Sequence, residues 1–138
     1  MTETVIDVRD ISITLGGQPI HRNLSLSVTR GEVVALIGGS GTGKSVLLRE
    51  IIGLLKPQSG HIDLLGQSVL DCSEAQMNQL RRRIGVLFQD GALFSSLNVE
   101  DNVATPLFEH TRLPHANCRQ LARLKLDMVG LEAETARK

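Results

Sequence analysis

Hydrophobic and polar positions alternate with a period of two along the first thirty residues, a pattern that predicts β-strands. Residues 5–13 form one such run, with mixed faces, and residues 24–28 form a second in which Leu24, Leu26 and Val28 alternate with polar residues. The glycine-rich segment 15–19 between the two runs predicts a turn. We therefore expect two half-buried strands that form an antiparallel unit near the N-terminus.

Two later runs are apolar at almost every position, which is typical of strands that are covered on both faces. They are Val33–Ile37 and Ile84–Phe88. A further short strand is predicted at residues 61–65, where Gly66 closes it.

Four segments have the spacing or the end signals of helices. The first follows Gly43, carries apolar residues at 47, 48, 51, 52 and 55, and stops at Lys56-Pro57. The second spans residues 73–83, with Ser73 as its N-cap. The third spans residues 98–110, with Asn98 as its N-cap and Pro106 as a kink or an early end. The fourth spans residues 114–129, with Gly130 as its C′ residue. The alternation of strands and helices predicts an α/β fold with an antiparallel β addition.

Composition narrows the possible functions. The chain has 138 residues, enough for one domain, and its 15 Lys and Arg balance 15 Asp and Glu. Aromatic residues make up only 2%, so neither a basic surface nor a stacking platform for nucleic acid is expected. Cys72 and Cys118 are far apart and predict reduced or buried thiols. The sequence shows no export signal and no apolar run of about 20 residues, so we expect a cytoplasmic chain.

One motif carries chemistry: residues 38–45 match the phosphate-binding pattern G-x-x-x-x-G-K-[ST] in full. Its members are Gly38, Gly39, Ser40, Gly41, Thr42, Gly43, Lys44 and Ser45. Glycines allow the backbone N–H groups to converge on phosphate oxygens, and the following helix directs its N-terminus at the same anion. We expect Lys44 to reach the β- and γ-phosphates of ATP and Ser45 to ligate Mg²⁺. The alternative is a glycine-rich turn that only caps a helix.

The segments around this motif resemble the nucleotide-binding domain of ABC transporters. They are Asn23-Leu24-Ser25-Leu26-Ser27-Val28, Arg30-Gly31-Glu32, and Ile84-Gly85-Val86-Leu87-Phe88-Gln89. The last resembles the family's Q-loop strand, with Gln89 as its glutamine. The resemblance implies that Gln89 approaches Mg²⁺ and the attacking water. Gln89 is thus expected to be catalytic together with Lys44 and to contact the metal together with Ser45.

Four further segments of the sequence are similar to the ATPase subunits of MCE-type (Mla-type, toluene-tolerance) phospholipid transport systems. The residues concerned are Lys44-Ser45-Val46-Leu47-Leu48, Gln89-Asp90-Gly91-Ala92-Leu93-Phe94, Asn98–Ala104, and the segment from Pro106 to Pro114. The resemblance implies a transmembrane permease, a second copy of the ATPase and an MCE-type substrate-binding protein as partners. It also implies a location on the cytoplasmic face of the inner membrane, reached through the permease. Residues 91–94 are expected either to meet the permease, with Phe94 as anchor, or to fill the core beneath their own loop.

The sequence departs from the family pattern in two respects. Leu15 stands where the family usually stacks an aromatic on adenine, so we expect weak base selectivity. No LSGG signature, no strand ending in Asp-Glu and no switch histidine occur, and His21, His61, His110 and His115 match no family position. We expect these four histidines to be surface or packing residues.

Together, the motif and the resemblance predict a P-loop NTPase fold with an N-terminal antiparallel β subdomain. Residues 1–138 are expected to be part of one nucleotide-binding domain that is incomplete at its C-terminal end. The expected function is ATP binding that powers a transporter, with no appreciable turnover by this chain alone and poor solubility of the isolated chain. The alternatives are a nucleotide-binding module without catalysis, an ABC ATPase for another substrate, and a small-metabolite kinase, which the strand before Gln89 and the antiparallel N-terminus argue against.

Overall fold

A computed structural model describes residues 3–89 and 91–131. The chain divides into two compact units, residues 1–86 and residues 87–138. The first unit contains a sheet and two helices, and the second contains two helices. No helix within the described ranges has both the length and the apolar character needed to cross a bilayer.

The sheet of the first unit has four antiparallel strands in the order β2-β1-β3-β4. Their bounds are Thr4–Leu15 for β1, Gln18–Thr29 for β2, Ser59–Leu64 for β3 and Gln67–Ser68 for β4. On the central strand β1, Val8 lies opposite Leu26 on one side and opposite Ile62 on the other. The predicted antiparallel unit and the predicted strand near residues 61–65 are therefore confirmed.

Helices α1 (Lys44–Ile51) and α2 (Glu74–Arg81) contribute to the same core as the sheet. The buried members of this core are Val8, Ile11, Leu47, Ile51, Ile62, Leu64, Val69, Met77 and Leu80. Helix α2 begins as predicted, because Ser73 and Gln76 form a reciprocal capping box. It ends at Arg81, two residues earlier than expected.

The second unit is built on helices α3 (Val99–His110) and α4 (His115–Met128). Small residues at the centre of this pair, Ala104, Cys118 and Ala122, are fully buried. Asn98 caps α3 by accepting a hydrogen bond from the Asp101 N–H, and Gly130 follows α4 with a φ of 75°, so both predicted signals are confirmed. Pro106 lies within α3, which continues to His110, so the alternative of an early end at Pro106 is wrong.

The two predicted covered strands, Val33–Ile37 and Ile84–Phe88, are not strands in the described structure. The side chains of Val33, Ile37 and Leu87 are 95%, 94% and 93% exposed. A strand needs the hydrogen bonds of a neighbouring strand, and within the described residues no strand pairs with either run. The prediction of covered strands is therefore wrong for this part of the chain, although both sequences have the composition of strands.

Candidate functional site

Residues 38–42 of the motif form an exposed loop, Gly43 is buried, and Lys44 and Ser45 are the first two residues of α1. Gly41 and Gly43 have φ values of 80° and 89°, a left-handed conformation that glycine adopts without steric cost. Gly43 is the N-cap of α1, with no side-chain hydrogen bond at the cap and no acidic residue in the first turn. The first backbone N–H groups of α1 are therefore left to a ligand from outside the helix, and the helix dipole favours an anion there.

Lys44 folds back over this loop. Its Nζ donates hydrogen bonds of 2.6 Å to each of the carbonyl oxygens of Gly38 and Gly39, and one of 3.3 Å to Thr42 Oγ1. The Thr42 hydroxyl donates to the Gly39 carbonyl at 2.9 Å. These acceptors are all neutral, so an anionic phosphate oxygen would be a stronger partner for the ammonium group.

The underside of the loop is closely packed against β2. A Cβ atom placed on Gly43 would lie 2.6 Å from Ile20 Cγ2 and 2.6 Å from His21 Cε1, and one placed on Gly38 would lie 2.8 Å from Thr42 Oγ1. Gly43 requires glycine, because its left-handed φ adds to these contacts, whereas a shift of the Thr42 side chain would make room at Gly38. Close packing beneath and an exposed backbone above suit a loop that cradles phosphates, so these residues fit a bound nucleotide.

A magnesium ion at this site would depend on few protein ligands. Ser45 is exposed in the first turn of α1, beside the loop. Within the described residues no group of three or more His, Cys, Asp or Glu side chains is placed to hold a metal. The residues therefore fit an ion that takes one hydroxyl from the protein and its other ligands from phosphates and water, as Mg²⁺ does.

Gln89 lies in the second unit, in an exposed turn after the run Ile84–Phe88. The phosphate loop belongs to the first unit, and Asp90 is outside the described residues. The role of Gln89 therefore stays a prediction.

The other residues that the sequence analysis named differ in their burial. Leu15 is partly exposed at the end of β1, and Cys118 is buried whereas Cys72 is half-buried. His21 is buried, His61 is half-buried, and His110 and His115 are exposed. The His115 ring lies 4.6 Å from that of Phe108.

The sequence reasoning did not single out Glu50, which is fully buried on α1. The sequence contains one signal of this burial. Glu50 comes three residues after Leu47 and one before Ile51, and therefore lies on the apolar face of the helix.

The chain belongs to the ABC transporter family, whose pattern it matches over residues 21–138. This confirms the resemblance that the motif and its flanking segments indicated. The match extends through both compact units.

The chain is similar to transport ATP-binding proteins whose descriptions name two different cargoes. The intermembrane phospholipid transport system ATP-binding protein MlaF of Escherichia coli K12 is 44% identical over 127 residues, which are 92% of this chain and 47% of that protein. MlaF of Haemophilus influenzae is 40% identical over 136 residues, 99% of this chain and 52% of that protein. The probable ribonucleotide transport ATP-binding protein mkl of Mycobacterium leprae is 44% identical over 126 residues, 91% of this chain and 36% of that protein. The chain thus spans about half or less of the length of these relatives.

Solved structures agree with the fold. A dimeric post-hydrolysis state of the ATP-binding cassette MJ0796 bound to ADP and Pi matches with a TM-score of 0.84 and 28% identity, over 95% of this chain and 60% of that chain. A second dimeric structure of MJ0796, described as a bacterial ABC transporter cassette, matches with a TM-score of 0.84 and 30% identity over the same shares. The fold is therefore that of an ABC ATPase, of which this chain covers a part.

Proposed function

We propose that this chain binds Mg·ATP through residues 38–45 and contributes this site to the ATPase subunit of a phospholipid transporter of MCE type. The observation that carries the proposal is the loop itself. It combines left-handed glycines, an uncapped helix N-terminus and a lysine whose ammonium group contacts only neutral acceptors. Each of these features favours an anion with several oxygens.

Each residue has a separate role in this proposal. The loop amides and the N-terminus of α1 bind the β-phosphate, and Lys44 leaves its loop carbonyls to contact the β- and γ-phosphates. Ser45 supplies a hydroxyl to Mg²⁺, which when bound neutralises phosphate charge. Gln89 is proposed to orient the attacking water and to contact the ion.

Hydrolysis needs groups beyond these. The 138 residues contain no LSGG segment and no apolar strand ending in Asp-Glu. Without a carboxylate to position water and an opposing group to stabilise the transferred phosphoryl, the main electrostatic contributions to phosphoryl transfer are missing. We expect this chain alone to bind nucleotide without appreciable turnover.

Adenine selectivity is expected to be weak. The chain has no Tyr or Trp, and Leu15 offers only an aliphatic contact at the end of β1. Base stacking on an aromatic contributes about 1–3 kcal/mol where it occurs. ATP and GTP should therefore bind this chain with similar affinity.

Calorimetric titration of the 138-residue chain with Mg·ADP and Mg·ATP tests the binding proposal. Lys44→Ala removes the charged donor and should weaken binding by roughly 10- to 100-fold, the effect of losing a charge-assisted hydrogen bond of about 1.5–3 kcal/mol. Lys56→Ala is the matched control, because Lys56 is exposed beyond the end of α1. Equal weakening by both variants, or none by Lys44→Ala, would contradict the proposed site.

The partner surface is proposed to include the segment 91–97 of the second unit. Phe94 is 57% exposed, which argues against the alternative that it fills the core beneath its loop. The Asn102 side chain fixes its backbone, accepting from the Phe94 N–H at 2.8 Å and donating to the Phe94 carbonyl at 3.1 Å. An apolar cavity of about 480 Å³, bordered also by Leu93, Leu126 and Val129, adjoins this side chain. Such a surface suits a short amphipathic helix of a permease on the cytoplasmic side of the inner membrane.

Co-purification of the complete ATPase subunit with its transmembrane permease tests this surface. Phe94→Ala should reduce the recovered permease, whereas Leu124→Ala, another exposed apolar residue of the same unit, should not. Unchanged recovery with Phe94→Ala would remove the segment from the partner surface. The dimeric MJ0796 structures support the further proposal that two copies of the subunit act together, alongside an MCE-type substrate-binding protein.

A second candidate cargo deserves a test because the mkl proteins are as similar to this chain as MlaF of Escherichia coli is. These are described as probable ribonucleotide transport proteins. ATPase stimulation of the complete transporter by phospholipid vesicles, compared with free ribonucleotides, separates the two cargo classes. Stimulation by ribonucleotides alone would overturn the phospholipid proposal and leave the ATP site intact.

A further inference from the structure

Two buried ionisable side chains face each other beneath the phosphate loop. His21 projects from β2 and Glu50 from α1, and their side chains are only 4% and 0% exposed. His21 Nε2 lies 3.3 Å from Glu50 Oε2. Neither that nitrogen nor either carboxyl oxygen has a hydrogen-bond partner in the structure. A charged carboxylate left this way would be costly, so a neutral arrangement is strongly favoured.

The pair reaches the nucleotide site through one residue, Gly43. A Cβ on Gly43 would meet His21 Cε1 at 2.6 Å and His21 Nδ1 at 3.3 Å, so the ring lies flush against the glycine backbone. The Gly43 carbonyl accepts the Leu47 N–H of α1 at 2.9 Å. Gly43 therefore joins the buried pair to the loop above it and to the helix behind it.

A proton shared between Glu50 Oε2 and His21 Nε2 gives both of these atoms a hydrogen-bond partner. Burial raises the pKa of Glu50 to about 7. Burial also lowers the pKa of His21, and the hydrogen bond to Gly43 acts more weakly in the opposite direction. A neutral Glu50 can donate its O–H to His21 Nε2 while the other ring nitrogen keeps its proton towards Gly43. No other charged side chain in the described ranges forms an ion pair with either residue, and none from β1, β2, β3 or α1 shifts their pKa values.

We propose that Glu50 and His21 are positioning residues of the nucleotide site: a hydrogen-bonded chain from the Glu50 carboxyl through the His21 ring holds Gly43 in the left-handed conformation that aims the loop amides at phosphate. This inference rests on the proposed nucleotide binding. When Glu50 loses its proton, the chain loses its donor and a negative charge forms beneath an anion site. Affinity for Mg·nucleotide should therefore fall as the pH rises through about 7.

The test is the pH profile of Mg·ADP affinity, measured by calorimetry on the 138-residue chain between pH 6 and 8.5. Glu50→Gln keeps a neutral N–H donor for His21 Nε2 and should bind as tightly as the parent at pH 6, without the parent's decline above pH 7. Glu50→Leu removes the donor and should bind roughly fivefold more weakly than the parent at pH 6, the effect of one neutral hydrogen bond, with no decline of its own above pH 7. His21→Phe, a ring of similar shape without nitrogen, should behave like Glu50→Leu at pH 6.

Two results would overturn this inference. One is a parent profile parallel to that of Glu50→Gln across the whole pH range, and the other is parent-like affinity in Glu50→Leu at pH 6. The parent and Glu50→Gln alone decide the question if the apolar variants do not fold. Absence of Mg·ADP binding by the parent at every pH would instead overturn the proposed function, so the two failures are distinguishable. ¹⁵N NMR of the His21 ring adds a readout without nucleotide, in which a neutral ring protonated on Nδ1 is expected at pH 6.5.

Discussion

Replacing Glu50 by Gln should stabilise the chain at alkaline pH and leave it unchanged in acid. The carboxyl group is fully buried, and its pKa is raised from 4.5 to about 7 by burial. Between these two values the folded chain holds a proton that the unfolded chain releases. Stability from this group is therefore present below about pH 4.5 and is lost as the pH rises through 7. A neutral glutamine does not titrate, so it removes this loss.

The size of the effect follows from the shift in pKa. Each pKa unit corresponds to about 1.4 kcal/mol, so a shift from 4.5 to about 7 predicts a difference of about 3 kcal/mol between variant and parent at pH 8. At pH 4.5 the same difference should be close to zero. The lowered pKa of His21 adds its own loss of stability below about pH 6.5, and this loss is common to both proteins.

Urea unfolding followed by circular dichroism at 222 nm measures this difference, and the chain has no Trp or Tyr for a fluorescence signal. The variant and the parent are compared at pH 5, 6, 7 and 8. The free energies of unfolding should diverge steadily with pH, the variant being the more stable. Parallel curves would show that Glu50 is ionised in the folded chain over the whole range and would refute the reasoning.

Two further substitutions test the packing of each unit by urea unfolding. Gly43→Ala should lower the free energy of unfolding by more than 2 kcal/mol, because a Cβ there adds clashes at 2.6 Å to a left-handed φ. Gly41→Ala has the same φ sign with open space and should lower it by about 1–2 kcal/mol. Equal losses would contradict the close packing beneath the loop. Arg123→Ala should cost about 1–3 kcal/mol by leaving the buried Glu100 carboxylate without its partner at 2.7 Å. Arg119→Ala should cost less than 1 kcal/mol, because the Asp101 carboxylate that it leaves is more exposed than that of Glu100. The reverse order would contradict the burial of Glu100.

Local signals made most of the helices predictable. Ser73 and Asn98 accept hydrogen bonds from the first turns of α2 and α3, and Gly130 ends α4 in a left-handed conformation. These interactions lie within a few residues of sequence, so the sequence contains all of their partners. The predicted end of α3 at His110 is also confirmed, whereas the sequence left open whether Pro106 would end the helix early.

The runs Val33–Ile37 and Ile84–Phe88 show where sequence reasoning stops. Their composition indicates burial between neighbours, but a strand exists only with a partner that satisfies its backbone. Within the described residues that partner is absent, and the apolar side chains of Val33 and Leu87 remain exposed. The composition of these segments indicates that they favour a buried strand, but it carries no information about whether a neighbouring strand is present.

One part of the candidate site was predictable from the sequence and another part was not. The turn of left-handed glycines that leads into α1 was predictable, because the eight positions of its motif are contiguous. The support beneath it was not, because His21 and Glu50 are 29 positions apart and meet only when β2 and α1 pack together. A glutamate on the apolar face of α1 was the one available sign.

The most direct test of the central claim is an amide ¹H–¹⁵N NMR titration of the 138-residue chain with Mg·ATP. Binding at the loop predicts that the largest shifts fall on the amides of residues 41–45, and that Lys44→Ala abolishes them at the same nucleotide concentration. Residues 99–128, on the helices of the second unit, should shift little. Saturable shifts centred outside the loop, or an unchanged spectrum at millimolar Mg·ATP, would contradict the claim that this loop is a nucleotide-binding site.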